Sequence, residues 1–298
     1  MKRPDFFILG APKCGTTSLD AYLKSHPRIF TAQKEPHYFN TDDNYRLTAD
    51  LPAYEALFAG AADSHLAVGE ASVRYLHSHD AVANILRYNA HARFIVMVRN
   101  PVEMVHSWHG QMLFNGEEDT PDFQTAWDLQ AARRAGRSLP AGCIDVSALL
   151  YGRFCSVGRQ LERVYQQVAP ERVHVVVFDD LKGDPAGVYR SALRFLRLPD
   201  DHRPPGGFAV HNRAKVRRNY VRRARHALRP LGRLKVALGI RRPFGISRRM
   251  LRYEGRAKPR PPLSPELRRA LADYFADDVQ LLARLIKRDL SHWSAPRR

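Results

Sequence analysis

The feature that most constrains this chain lies at residues 6–18, Phe6-Phe-Ile-Leu-Gly10-Ala-Pro12-Lys13-Cys14-Gly15-Thr16-Thr17-Ser18. Four apolar residues, Phe6 to Leu9, predict a buried strand that Gly10 ends. Thr16 to Leu23 predicts the start of a helix, with Leu19 and Leu23 four apart on one face. A strand, a glycine-containing loop and a helix N-terminus make a cradle for a phosphate. Loop N–H groups and the helix macrodipole converge on the anion there, and Lys13 adds a full positive charge. Such an opening predicts an α/β protein: a central parallel sheet flanked by helices in three layers, with the ligand at the strand C-termini.

The spacing approaches that of a P-loop, with four residues between Gly10 and Gly15 and hydroxyl residues directly after. A Walker-type loop carries its lysine where Thr16 stands. Here the lysine precedes the second glycine by two residues, which moves its charge from the tip of a triphosphate towards an α-phosphate and its bridging oxygen. Pro12-Lys13-Cys14-Gly15-Thr16-Thr17 resembles the 5′-phosphosulfate loop of sulfotransferases that use 3′-phosphoadenosine 5′-phosphosulfate (PAPS), in particular the heparan-sulfate type and its bacterial relatives. The resemblance implies a P-loop-like three-layer fold and PAPS as donor. It places Pro12, Lys13, Cys14, Gly15, Thr16, Thr17 and Ser18 at the donor's 5′ end. It also implies sulfuryl transfer to an acceptor hydroxyl by in-line displacement, with no metal required.

A second polar cluster, Lys34-Glu35-Pro36-His37-Tyr38-Phe39, follows the first helix. Pro36 keeps it out of a central strand or a helix interior, so it is loop or edge. On its own it also fits a solvated surface loop. In the family, Lys-Glu-Pro-His follows the first helix and its glutamate is the proposed catalytic base. An acceptor O–H must lose its proton as it attacks, and Glu35 is the candidate to take it. His37 is the second candidate for the base, or a group that orients the acceptor. Lys13 and the helix N-terminus stabilise the leaving phosphate.

Arg93 to Val98 predicts a buried strand ending in Arg99-Asn100-Pro101, with Pro101 opening the next helix. Ser107 lies two turns into that helix. An arginine at a strand end and a serine on the following helix can grip one phosphate from two sides. In sulfotransferases an Arg–Ser pair at this spacing binds the donor's 3′-phosphate, so Arg99 and Ser107 take that role by resemblance. The family's Glu-Lys-Ser/Thr-Pro-x-Tyr stretch is kept as Glu70, Ser72 and Tyr75, but Ala71 stands where lysine is common. That departure argues against an anionic heparan-type acceptor, and Arg74 is the nearby cation that could compensate.

Further on, Met112 to Thr120 reads as a polar loop and Phe123 to Arg137 as one helix, with Trp127 in the core. A helix is expected to end near Pro170, and Arg172 to Phe178 predicts a strand ending in Asp179-Asp180. That ending also suits a Walker B motif, the best argument for a P-loop nucleotide kinase or NTPase as the alternative. Pro185 opens another helix, and Ser264-Pro265 opens a last one with Leu267, Leu271, Phe275, Val279 and Leu282 on its buried face. The expected organisation is a single domain over 1–298, with a catalytic core of about 1–200, a basic helical insert at about 205–262 and a C-terminal helix at 264–293.

Charge is concentrated in one place. Residues 211–260 hold 18 Lys and Arg against one acid, Glu254, so nearly all of the net charge of +18 sits there. Apolar residues at intervals of three or four make this a basic amphipathic helix, interrupted by Pro230. It can pack on the core, steer anionic ligands, or lie peripherally on an anionic membrane. A basic binding protein with a vestigial nucleotide loop is therefore a further alternative. Nucleic acid is an unlikely partner, since aromatic residues do not interleave the charges. The acceptor class is open: a small molecule, a glycan or a lipid-linked hydroxyl. Three scattered cysteines and the lack of a long apolar run predict a reducing cytoplasm as the compartment.

Overall fold

A computed structural model describes residues 2–33, 35–209 and 261–293. Five strands form one parallel sheet: β1 Phe6–Gly10, β2 Ile29–Thr31, β3 Ala67–Ala71, β4 Arg93–Val98 and β5 Val173–Val177. Their order is β2-β3-β1-β4-β5. Every pairing is parallel, with Phe6 opposite Gly69 on one side and Arg93 on the other. β1 and β3 are buried along their whole length, and β4 from Phe94 onwards. A parallel sheet covered on both faces needs such continuous apolar strands. Ile29–Thr31 is the edge strand just ahead of the Glu35 cluster, consistent with the loop-or-edge expectation for that stretch.

The helices are α1 Thr16–Lys24, α2 Leu51–Ala56, α3 Ala81–Tyr88, α4 Pro101–Asn115, α5 Phe123–Asp128, α6 Gln130–Arg134, α7 Tyr151–Phe154, α8 Val157–Tyr165, α9 Phe178–Gly183, α10 Pro185–Phe195 and α11 Pro265–Ile286. Their starts follow local chemistry. Asp50, Asn100, Asp122, Asp184 and Ser264 each accept a backbone N–H from the first turn of the helix they precede.

Several stretches depart from the sequence expectation. The predicted polar loop at Met112 to Thr120 is helix through Asn115, and Glu117 and Glu118 behind it are buried. Glu118 explains this: its carboxylate pairs with the fully buried Arg133 at 2.7 and 2.8 Å and accepts from Tyr151 at 2.5 Å. Burial alone would raise its pKa, but the hydrogen bonds from Arg133 and Tyr151 outweigh that and lower it. The single helix expected over Phe123 to Arg137 is broken at Leu129. The stretch from Ala148 to Pro170 comes in shorter pieces, because Asp278 reaches in from α11. It accepts from the backbone N–H groups of Gly158 and Arg159, both at 2.9 Å, and so caps α8 in trans. Trp127 packs against Phe123, Tyr274 and Phe275, the core role expected of it.

The C-terminal segment is fastened to the strand ends. Leu271, Phe275, Val279 and Leu282 of α11 are buried, as the spacing predicts, while Leu267 in the first turn is only half-buried against the core. Trp293 donates its indole N–H to Asp179 at 2.8 Å, its carbonyl accepts from Asn100 at 2.9 Å, and Arg288 pairs with Asp180. The aspartates that resemble a Walker B pair are therefore engaged by the chain's own terminus. Residues 211–260, with the expected basic helix, and Lys34 lie outside the described residues. Among those described, no helix is long and apolar enough to cross a membrane.

Candidate active site

The topology brings the candidate residues together. Lys13 follows β1, Glu35 and His37 follow β2, Val73 and Arg74 follow β3, Arg99 follows β4, and Phe178 follows β5. All of them line one cavity of about 500 Å³ at the strand C-termini. β1 is the central strand, and its neighbours β3 and β4 lead away on opposite sides, which opens a crevice at this point.

The loop after β1 is shaped for an anion. Gly15 is the N-cap of α1 at φ 89°, and no side chain caps the helix. A Cβ at Gly15 would fall 2.5 Å from Leu181 and near Phe178, so glycine is required both for the left-handed turn and for the close approach. The N-terminus of α1 lines the cavity through Gly15, Thr16, Thr17 and Ser18, beside Pro12 and Lys13. Cys14 is the exception among the predicted loop residues. It is fully buried, its thiol lies against Met104 and the Pro12 carbonyl, and burial pushes its pKa up to about 12. Its side chain fills the core, and the residue is not part of the cavity lining, contrary to the sequence expectation that it contacts the donor.

Lys13 sits at φ 66° and points its ammonium at Gln111 Oε1, 2.9 Å away on α4. Gln111 donates to Asn115 at 2.9 Å, and Asn115 donates to Glu117 at 2.9 Å. Arg99 donates to the carbonyl of Lys13 at 3.0 Å, and its guanidinium lies 4.7 Å from the centre of the Phe178 ring. Glu103 stands 3.8 Å from it and is shared with Arg268 at 2.8 Å. Ser107, on α4, is 5% exposed and lines the cavity. The two cations of the predicted donor site are thus tied to one another through the loop backbone.

Glu35 and His37 form a contact pair, with Glu35 Oε2 2.6 Å from His37 Nε2. Glu35 also accepts from the Val73 N–H at 3.3 Å. Their exposures differ: the Glu35 side chain is 30% exposed and that of His37 is 2%. Both residues have positive φ, 68° and 47°. Non-glycine residues hold this conformation only where their surroundings enforce it, at a cost of about 1–2 kcal/mol each. The enforcement comes from β3 and the turn behind it. The Glu35 N–H donates to the Ala71 carbonyl at 2.8 Å, His37 N–H to Ser72 Oγ at 3.0 Å, and Tyr38 and Phe39 N–H to the Tyr75 hydroxyl at 2.9 and 3.2 Å.

Arg74 lines the same cavity but is already balanced. It is 2% exposed and pairs with both Asp43 and Asp145. It therefore brings no unmatched charge to offset the alanine at position 71, contrary to the sequence expectation. Gln111, Tyr45 and Phe178 were not singled out from the sequence. Gln111 lies four residues after Ser107, hence on the same helix face, and that spacing was the available signal. Phe178 stands at a strand end, where ligands gather. Tyr45 comes from a long loop, and no local pattern marks it.

Residues 3–205 match the family model described as Sulfotransferase domain. The chain belongs to the sulfotransferase-domain family. Among curated relatives it is 28% identical over 197 residues to the heparan sulfate glucosamine 3-O-sulfotransferase 3A1 of Mus musculus, covering 65% of this chain and 46% of that protein. It is 23% identical over 200 residues to a bifunctional heparan sulfate N-deacetylase/N-sulfotransferase 1 of Caenorhabditis briggsae, covering 66% and 23%. The chain thus spans less than half the length of these two relatives. A sulfotransferase from Alicyclobacillus acidocaldarius, known from a crystal structure, superposes with a TM-score of 0.73 at 26% identity over 99% of this chain and all of that one.

Proposed function

We propose that this protein transfers a sulfuryl group from PAPS to an acceptor hydroxyl. The observation that carries this reading is the convergence, on one cavity, of an anion-binding loop with Lys13, the Arg99 and Ser107 pair, and the Glu35–His37 pair. Family membership supports it. The cavity suits a donor with phosphates at both ends of its nucleoside. The α1 amides and Lys13 take the 5′ phosphosulfate, and Arg99 with Ser107 takes the 3′-phosphate.

In the reaction, the acceptor oxygen bonds to sulfur while the bond from sulfur to the bridging phosphate oxygen breaks. Charge builds on the departing phosphate, where Lys13 and the helix N-terminus neutralise it. The acceptor's proton passes to Glu35. Both line the cavity, but exposure favours Glu35 over His37 as the base, because the Glu35 side chain is 30% exposed and that of His37 only 2%. His37 holds the carboxylate in place from its other side.

For the acceptor, the names of the curated relatives point to a glycan. Ala71, together with an Arg74 already paired to two carboxylates, favours one less anionic than heparan sulfate. The cationic stretch 211–260 supports a peripheral contact with anionic membrane and a cytoplasmic location as further proposals. The test is to incubate the enzyme with PAPS and a panel of neutral and anionic glycans, following 3′-phosphoadenosine 5′-phosphate (PAP) release and sulfated product. PAP release that depends on an acceptor and is fastest with neutral glycans is expected. Turnover of ATP–Mg²⁺ in place of PAPS would overturn the reading.

A further inference from the structure

Glu70 sits at the end of β3 and is fully buried, with no path to the cavity contents. The proposed chemistry gives it no role, and a buried carboxyl carries a large desolvation cost. Three hydroxyl groups converge on it. Ser72 donates at 2.7 Å to one oxygen, and Tyr54 and Tyr75 each donate at 3.0 Å to the other. Two of those hydroxyls are also the acceptors that hold the next layer: Ser72 Oγ takes the His37 N–H, and the Tyr75 oxygen takes those of Tyr38 and Phe39.

The direction of these bonds follows from the proton count. A hydroxyl has one hydrogen and two lone pairs. Spending the hydrogen on Glu70 turns the lone pairs outward, where the loop's N–H groups need them. Only an ionised carboxylate accepts from all three hydroxyls at once. A protonated or amide group in its place must donate to one of them, which turns that hydroxyl's own hydrogen away from Glu70 and reorients its lone pairs; Tyr75, which already accepts two loop N–H groups, has no lone pair to spare for it. The loop so held includes the two left-handed residues, Glu35 and His37.

We infer that Glu70 is a positioning residue for the general base, acting through Ser72 and Tyr75 to hold the 35–39 backbone so that Glu35 faces the acceptor. This inference rests on the reading of Glu35 as the base of a sulfuryl transfer. The groups around the carboxylate are the hydroxyls of Ser72 and Tyr75 from the turn after β3, that of Tyr54 from α2, and Glu35 at longer range. Burial pushes Glu70 up to about 7, against the pull of the three hydroxyl donors. The network is therefore complete on the alkaline side of neutrality and loses its acceptor on the acid side.

Glu70→Gln tests this in the full-length chain. A displaced catalytic group costs on the order of 10²-fold, so kcat is expected to fall by about 10–100-fold while the affinity for PAP stays within about threefold. The acid limb of the kcat–pH profile moves to lower pH. In a Glu35→Ala background the same change costs nothing further, because the residue acts only through Glu35. Ser72→Ala, which removes a single hydroxyl, carries the same prediction for kcat and PAP affinity if Glu70→Gln folds poorly; its acid limb does not move down, because Glu70 still titrates and has lost a donor that holds its pKa down. Unchanged kcat, a parallel fall in PAP affinity, or an equal loss in the Glu35→Ala background would overturn the inference. A wild-type protein that binds PAP but releases none from PAPS with any acceptor would instead overturn the sulfotransferase reading, and this inference with it.

Discussion

Glu35→Ala is expected to slow sulfuryl transfer by about 10²–10⁴-fold, leaving a residual rate readable in single turnover, with PAP binding intact. A positioned general base contributes about 10²–10⁴-fold, or roughly 3–5 kcal/mol of barrier. Among the described residues, the Glu35 carboxylate meets His37 and the Val73 N–H, and both belong to the acceptor side of the cavity. The donor-side groups Lys13, Arg99 and Ser107 belong to other strands' ends and to α4, so PAP affinity should hold. Glu35→Gln separates two roles. The amide oxygen can still accept from Val73 but cannot take a proton, so the loss should match that of alanine. Near-full activity in the glutamine variant would show that Glu35 only positions the acceptor, and would move the base to His37.

Lys13→Ala has the second-largest expected effect, and of a different kind. In the proposed reaction the lysine's charge is used most when the leaving phosphate gains negative charge, so its removal is expected to cost the transition state more than the ground state. Losing one such electrostatic stabiliser costs about 10²–10³-fold, or roughly 3–4 kcal/mol. The expected result is a fall of that size in single-turnover rate with a much smaller rise in the PAP dissociation constant. The Gln111–Asn115–Glu117 chain fixes where the ammonium rests before reaction. Arginine at position 13 should not restore the rate, since its planar fork cannot reproduce the lysine's point charge. Equal losses in rate and in affinity would mean that Lys13 merely binds the nucleotide.

Residues 6–18 and 93–107 were legible in the sequence because strand, loop and helix start are local features with their own chemistry. Once a buried strand ends in Pro-Lys-x-Gly-Thr-Thr, few backbone paths satisfy the glycine and the helix N-terminus together. The same holds for Ser264 and Pro265 at the last helix. What the sequence did not reveal is long-range. The Glu118–Arg133–Tyr151 group turned a polar stretch into a buried one, and Asp278 caps a helix 120 residues away. Arg74 read as an available cation because Asp43 and Asp145 lie 31 and 71 residues from it in sequence. Glu70 was noticed as a motif letter, but its role depends on where three hydroxyls meet, which no spacing rule encodes.

The measurement closest to the central claim is thermal stability with PAP beside ADP and ATP–Mg²⁺. In the proposed site Arg99 and Ser107 take a 3′-phosphate, and that group distinguishes PAP from ADP. A ligand at a hundred times its dissociation constant adds about 2.7 kcal/mol, which raises the midpoint by about 4 °C for a chain of this length. The account predicts that shift with PAP and little or none with ADP or ATP–Mg²⁺ at the same concentration. An equal shift with ADP, or a larger one with ATP–Mg²⁺, would contradict it.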